Sequence, residues 1–289
     1  MRNENARAAL LLGAAFLLLL TGCVGPDSFG GTREEICTWG ATRGFVADEV
    51  VAGPFQLLRL SRGSLKNREG VTIYIESDGA PWPSPWYLPR DPTPLKPIAM
   101  ALAAADPAAA VLYLGRPCQY LKAAALATCS PAYWGERRFA PEVIAAYNDA
   151  LDAEKKVSGA QRLRLVGYSG GGVIATLLAA QRNDVELLVT VAAPLAVSEW
   201  VHGHDLSPLK GSLDPANLGT NVRLPPSVHW VGGHDRIVPP TIVEHFVEQH
   251  GGQIMTIPDF GHECCWSRYW TDFIERTYTE HISLQEHIQ

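Results

Sequence analysis

The 289-residue chain has no basic stripe: 24 Lys and Arg stand against 30 Asp and Glu, for a formal net charge of −6. Binding nucleic-acid phosphates requires clustered Lys and Arg, so nucleic acid is excluded as a partner. Long apolar runs are scarce too. The most prominent, Ala8 to Leu20, spans 13 residues, short of the roughly 20 that a membrane-crossing helix needs. No C-x-x-C pair and no histidine-rich spacing occurs, which removes the usual frameworks for zinc. His202, His204 and Asp205 resemble a metal cluster at first glance, but Gly and Pro punctuate that stretch and a surface loop or cap is the expectation. No other motif asks for a metal or a cofactor. No repeat or linker divides the chain, and 47% hydrophobic content suffices for one large core.

What is present begins with an address. Arg2 and Arg7 precede the apolar run, and Leu20-Thr21-Gly22-Cys23 closes it. That tetrapeptide resembles the lipobox of bacterial lipoproteins, which implies cleavage after residue 22 and a lipid on Cys23. An ordinary signal peptide cut nearby, or an uncleaved anchor, is the alternative. On the lipobox reading, residues 1–22 are a signal peptide, 23–40 a tether and N-terminal segment, and 41–289 the folded domain. The protein would then sit in the cell envelope, lipid-anchored to a bacterial membrane and facing the periplasm or exterior. Export favours disulfides. Five cysteines remain, Cys37, Cys118, Cys129, Cys264 and Cys265, so at least one is free or paired between chains. Cys118 and Cys129, eleven residues apart in one connection, are expected to bridge, and Cys37 to pair with Cys264 or Cys265.

Strand and helix signals alternate along the domain. Strand-like stretches fill Phe45 to Leu60, and Val71 to Glu76 is a buried strand rich in β-branched residues. Seven prolines between Pro81 and Pro97 forbid regular structure there and predict a rigid aromatic loop. A helix over Ile98–Ala105, a strand over Ala110–Leu114 and a helix over Pro141–Lys156 follow. Beyond Gln161–Gln181 come strands at Val185–Ala192 and Val228–Val231, a helix at Thr241–His250, a strand at Gln253–Ile257 and an amphipathic segment over Ser267–Gln285. This alternation calls for an α/β fold: a mostly parallel central sheet with helices on both faces. Loop insertions are expected at 81–97, 116–138 and 198–226.

The stretch Gln161–Gln181 organises the rest. A short apolar strand runs into Gly167-Tyr168-Ser169-Gly170-Gly171, and helix formers follow. The G-x-S-x-G pattern suits a strand that turns sharply into a helix and exposes a serine hydroxyl on the bend. With the strand order around it, this elbow resembles the α/β-hydrolase superfamily over roughly residues 71–282. The resemblance implies a nucleophile, an acid and a histidine in that chain order: Ser169, Asp235 after the Trp230-Val231-Gly232-Gly233 strand end, and His262 after Phe260-Gly261. Asp235 has a bland alternative as a helix-capping aspartate. Asp205, Asp214 and Asp259 are weaker candidates, and Tyr168 is read as packing.

The same resemblance implies an oxyanion hole from the N–H groups of Gly170 and Ala80. The family's His-Gly-x-Pro loop is here Asp78-Gly79-Ala80-Pro81, so the support of that loop differs, and a plain strand-ending turn is the alternative. Trp82, Trp86, Tyr87, Tyr133 and Trp134 either wall an acyl pocket or pack into the loops' own core. The function implied is an exported serine hydrolase acting on a small-molecule carboxylic ester. Peptidase or thioesterase activity, or a binding lipoprotein of the same fold, remains open.

Overall fold

The computed structural model describes residues 31–66, 70–80 and 87–286, without the side chains of 282–286. The leader with Cys23, the tether up to residue 30, Trp82 and Trp86 lie outside the described residues. No helix among the described residues is long and apolar enough to cross a membrane.

Among the described residues eight strands form one sheet: β1 (Phe45–Ala52), β2 (Phe55–Arg62), β3 (Gly70–Ile75), β4 (Val111–Leu114), β5 (Arg162–Tyr168), β6 (Val185–Val191), β7 (Ser227–Gly232) and β8 (Gln253–Ile257). Their spatial order is β1-β2-β4-β3-β5-β6-β7-β8. The strand-like stretch at 45–60 is a hairpin in which Ala52 pairs with Phe55, and Gly53 at φ +53° supplies the positive φ its two-residue turn demands. β2 runs antiparallel to β4, while β4, β3, β5, β6, β7 and β8 are mutually parallel. Every residue from Val71 to Ile75 is buried, as expected for a parallel strand covered on both faces.

Helices supply that cover. Those of eight residues or more are α1 (Arg33–Ala41), α2 (Ile98–Ala105), α3 (Pro141–Ser158), α4 (Gly170–Ala179), α5 (Pro240–His250) and α6 (Trp266–Glu286). In α3 the buried positions Val143, Ile144, Tyr147, Ala150 and Leu151 follow helical spacing; Pro141 opens the helix and left-handed Gly159 (φ +73°) closes it. Val71, Ile73 and Ile75 join the core shared with α3 and α4. Tyr74 joins the opposite core, with Ile36 of α1, Leu102 of α2 and Trp270 of α6. Trp270 Nε1 donates to Tyr74 Oη at 2.8 Å, and Tyr74 and Tyr278 both donate to Asp106 Oδ2, at 2.7 and 2.8 Å. These bonds fix α6 against the sheet. Helix α1 corrects the reading of 23–40 as tether and N-terminal segment: from residue 33 the chain is helix packed on the sheet, started by a capping box between Thr32 and Glu35.

Chain direction decides where chemistry can sit. The chain leaves β3 for β4 on one side and returns to β5 on the other, so connections depart in opposite directions from adjacent carboxyl ends. Such a switch point leaves a crevice at the sheet edge. Residues 76–80 follow β3, Ser169 follows β5, Asp235 follows β7 and His262 follows β8.

Cys118 and Cys129 are bridged. The expected partner for Cys37 is not: Cys264 and Cys265 are bonded to each other. Cys37 stays free on α1, half-buried against the core, and burial pushes its thiol pKa up.

Candidate active site

Ser169 stands between β5 and α4 with φ +52° and ψ −125°, a region that side chains other than glycine avoid. Its neighbours permit the bend. A Cβ on Gly167 would lie 2.3 Å from the Gly171 carbonyl oxygen, and one on Gly171 would lie 2.1 Å from that of Ile75. The Ser169 N–H donates to Val191 O at 2.8 Å and ties the elbow to β6. Gly170 is the first residue of α4, so its N–H has no carbonyl to meet within the helix.

His262 and Asp235 complete a chain of hydrogen bonds. His262 Nε2 lies 3.1 Å from Ser169 Oγ, and His262 Nδ1 lies 2.8 Å from Asp235 Oδ2. The Asp235 side chain is fully buried. Its other oxygen accepts the N–H groups of Ile237 and Val238, both at 2.8 Å. Asp235 therefore shapes its own turn while holding the imidazole. The rival aspartates have other work or none. Asp214 accepts from Val197 N, Ser198 N and Ala216 N, and Asp205 is exposed in a left-handed conformation. Asp259 is also exposed. Among the described residues no group of three His, Cys, Asp or Glu side chains could hold a metal; His204 Nε2 meets the Ile237 carbonyl at 2.8 Å instead.

Tyr168 does more than pack. Its hydroxyl donates to the His262 carbonyl at 3.0 Å, and Trp266 Nε1 donates to the same oxygen at 2.8 Å. The histidine loop is thereby clamped between the end of β5 and the start of α6. Burial first, and then nearby carboxylates, push the Tyr168 phenol far above its ordinary range, so it stays a donor. No sequence signal could have given this role, because it depends on two loops 94 residues apart meeting.

The loop after β3 departs from expectation at one residue. Gly79 turns at φ +98°, where a Cβ would lie 1.7 Å from Pro92 O, and the Ala80 N–H donates to that same carbonyl at 3.0 Å. The second oxyanion donor expected at Ala80 is thus committed to the proline-rich loop. Asp78 is held by two arginines that the sequence did not signal: Arg116 Nη1 at 2.9 Å and Arg138 Nη1 at 3.0 Å. Burial alone would raise the Asp78 pKa, but the two guanidinium groups hold it below the usual carboxylate value.

A cleft of about 250 Å³ opens over Ser169 and His262, with Pro94, Leu95 and Ile98 among its apolar walls. Lys96 and Glu263, paired at 2.7 Å, join its two banks. Of the aromatic residues expected near it, Tyr133 stacks edge-on against Phe55 at 4.7 Å, and Trp134 is buried with its Nε1 donating to Pro89 O at 2.9 Å. Tyr133 thus packs against the core that α3 and α4 share with the sheet, and Trp134 against the proline-rich loop. Tyr87 is 71% exposed.

No family model and no curated protein matches the chain in sequence. Solved structures do. Est1E from Butyrivibrio proteoclasticus superposes with a TM-score of 0.55 at 16% identity, over 82% of this chain and 99% of that one. The Pyrococcus furiosus esterase Pf2001 gives 0.55 at 13% identity, over 83% and 90%. The fold is the α/β-hydrolase fold. Identities this low speak to the fold alone. Within an α/β-hydrolase fold, the elbow after β5, the acid after β7 and the histidine after β8 occupy the edge where the parallel strands end.

Proposed function

We propose that this protein is a serine hydrolase that cleaves small carboxylic esters through an acyl-enzyme. One observation carries the reading: the unbroken run Ser169 Oγ, His262, Asp235 at 3.1 and 2.8 Å, set at one sheet edge over a cleft. A serine hydroxyl is a weak nucleophile at neutral pH, so a base must take its proton as it attacks. His262 Nε2 is within reach of that proton. Asp235 fixes the tautomer that leaves Nε2 free to accept, and it stabilises the imidazolium that forms. The ester carbonyl carbon bonds to Ser169 Oγ, the carbonyl oxygen becomes an anion facing the Gly170 N–H, and the alkoxide leaves with the proton from His262. Water then adds to the acyl-enzyme by the same route and frees the acid.

The cleft of about 250 Å³ over Ser169 and His262, with Pro94, Leu95 and Ile98 on its walls, suits a small apolar acyl group. That one superposing structure is named an esterase supports the reaction class. The export and lipid anchor on Cys23 belong to the same proposal and rest on the lipobox-like Leu20-Thr21-Gly22-Cys23.

A panel of p-nitrophenyl esters of rising chain length, run beside aminoacyl p-nitroanilides, tests the proposal. Turnover of acetate and butyrate esters is expected, with a fall at longer chains and none in Ser169→Ala. Preferential anilide cleavage would replace the esterase reading with a peptidase one. Absence of all turnover in folded protein would favour a binding role.

A further inference from the structure

The Asp78 carboxylate lies against the nucleophile elbow. A Cβ built on Gly170 would come within 2.1 Å of Asp78 Oδ1. Alone, a carboxylate there would repel the anion that forms beside the Gly170 N–H during attack. Arg116 and Arg138 neutralise it. Each meets a different oxygen of Asp78, and their side chains are only 4% and 9% exposed. Both oxygens of the carboxylate are thus paired with guanidinium groups that are themselves buried.

The arrangement is expensive as mere scaffolding. Apolar residues of similar volume commonly replace buried ion triads at no loss of stability. Arg116 also carries an Nε–H shielded from solvent with no hydrogen-bond partner, while its Nη2 donates to the Arg138 carbonyl at 2.6 Å. Further bonds lock the unit to the oxyanion loop: Gln119 accepts from the Arg116 N–H at 3.1 Å and donates to Ser77 O at 3.0 Å. Asp78, on a loop whose Ala80 N–H is turned away to Pro92, is thus held against Gly170 by two arginines from other connections.

We propose that Arg116 and Arg138 are positioning residues for the hydrolytic reaction: by pairing both oxygens of Asp78 they neutralise the carboxylate beside Gly170, which would otherwise repel the anion formed on Ser169. The inference rests on the serine-hydrolase reading above. It goes further by naming what keeps a carboxylate beside Gly170 from opposing the anion.

The test compares Arg116→Gln and Arg138→Gln with Arg116→Lys and Arg138→Lys, using p-nitrophenyl acetate turnover and inhibition by phenylboronic acid. The boronic acid accepts the Ser169 oxygen at boron while the serine proton passes to His262, giving an anionic tetrahedral adduct that imitates the transition state. Each Gln variant is expected to lose about tenfold to a hundredfold in kcat, with KM within about twofold, and to weaken boronate binding by the same factor. The Lys variants should recover most of both. Folded Gln variants with unchanged kcat and boronate affinity, or with only KM raised, would overturn the proposal. If a Gln variant melts below the assay temperature, its Lys counterpart decides. A folded Lys variant within about fivefold of wild-type kcat supports the role of charge, and one as slow as Ser169→Ala refutes it. Wild type no faster than Ser169→Ala would instead defeat the hydrolase reading itself, a separate result.

Discussion

Ser169 holds a backbone conformation that costs on the order of 1–3 kcal/mol in a residue with a side chain, and folding must supply that energy. The return is orientation: Oγ projects from the bend toward His262 instead of lying along a strand or helix. Asp235 shows the same economy of placement, with one oxygen for its own turn and the other for the imidazole. Asp235→Asn should keep the fold but present an amide where the histidine needs an acceptor. A drop in kcat of about 10⁴-fold with little change in KM is expected from ester kinetics. Turnover within tenfold of wild type would show that Asp235 only shapes its loop. Ser169, Asp235 and His262 were legible in the sequence because each stands beside local punctuation: the glycines of the elbow, Gly232-Gly233 after a buried strand, and Gly261 after the last one. Arg116 and Arg138 were not. Their meaning comes from an aspartate 38 and 60 residues away, and no local pattern records such a meeting.

Elements set the distances between these residues. Helix α4 is buried along its whole length, and its first turn passes close under the end of β3. Gly171→Ala would drive a methyl group to 2.1 Å from the Ile75 carbonyl oxygen, backbone that cannot swing aside. A loss of about 3 kcal/mol in chemical unfolding and a sharp fall in activity are expected together. A stable, active variant would mean that the elbow tolerates a wider approach. Element type was readable for β3, β5, β7, α3 and α6, whose periodicities are strong, with ends shifted by a residue or two. The proline-rich loop was readable only as irregular. Its bond from Ala80 N to Pro92 O depends on the path the chain takes after Gly79, which composition does not encode. Cys264 and Cys265 illustrate the same limit: counting cysteines gave an odd thiol but pointed to the wrong partner for Cys37.

The whole molecule carries a pH dependence apart from any chemistry. His229 is fully buried in β7, with Nδ1 on Thr190 Oγ1 at 2.8 Å and Nε2 without a partner. Burial lowers its pKa from 6.5 to about 4. The unfolded chain therefore binds a proton that the native state refuses, so this contribution is intact above pH 6.5 and is lost as pH falls toward 4. Its full size is about 3 kcal/mol. Glu76, whose pKa burial raises, acts in the opposite sense, so the informative quantity is the difference between wild type and a His229→Gln variant. Urea unfolding at pH 7 and pH 4.5 should show a flatter pH dependence in the variant; identical slopes would remove His229 from the account. At this scale the parallel sheet explains why one site exists at all. Residues separated by 66 and 27 positions reach a common edge because β5, β7 and β8 all point their carboxyl ends there. The most direct test of that convergence is covalent. Wild-type protein treated with a fluorophosphonate should gain one adduct by intact mass, mapped by peptide sequencing to Ser169, and His262→Ala should gain none. An adduct elsewhere, or none on folded wild-type protein, would contradict the claim that Ser169 is an activated nucleophile.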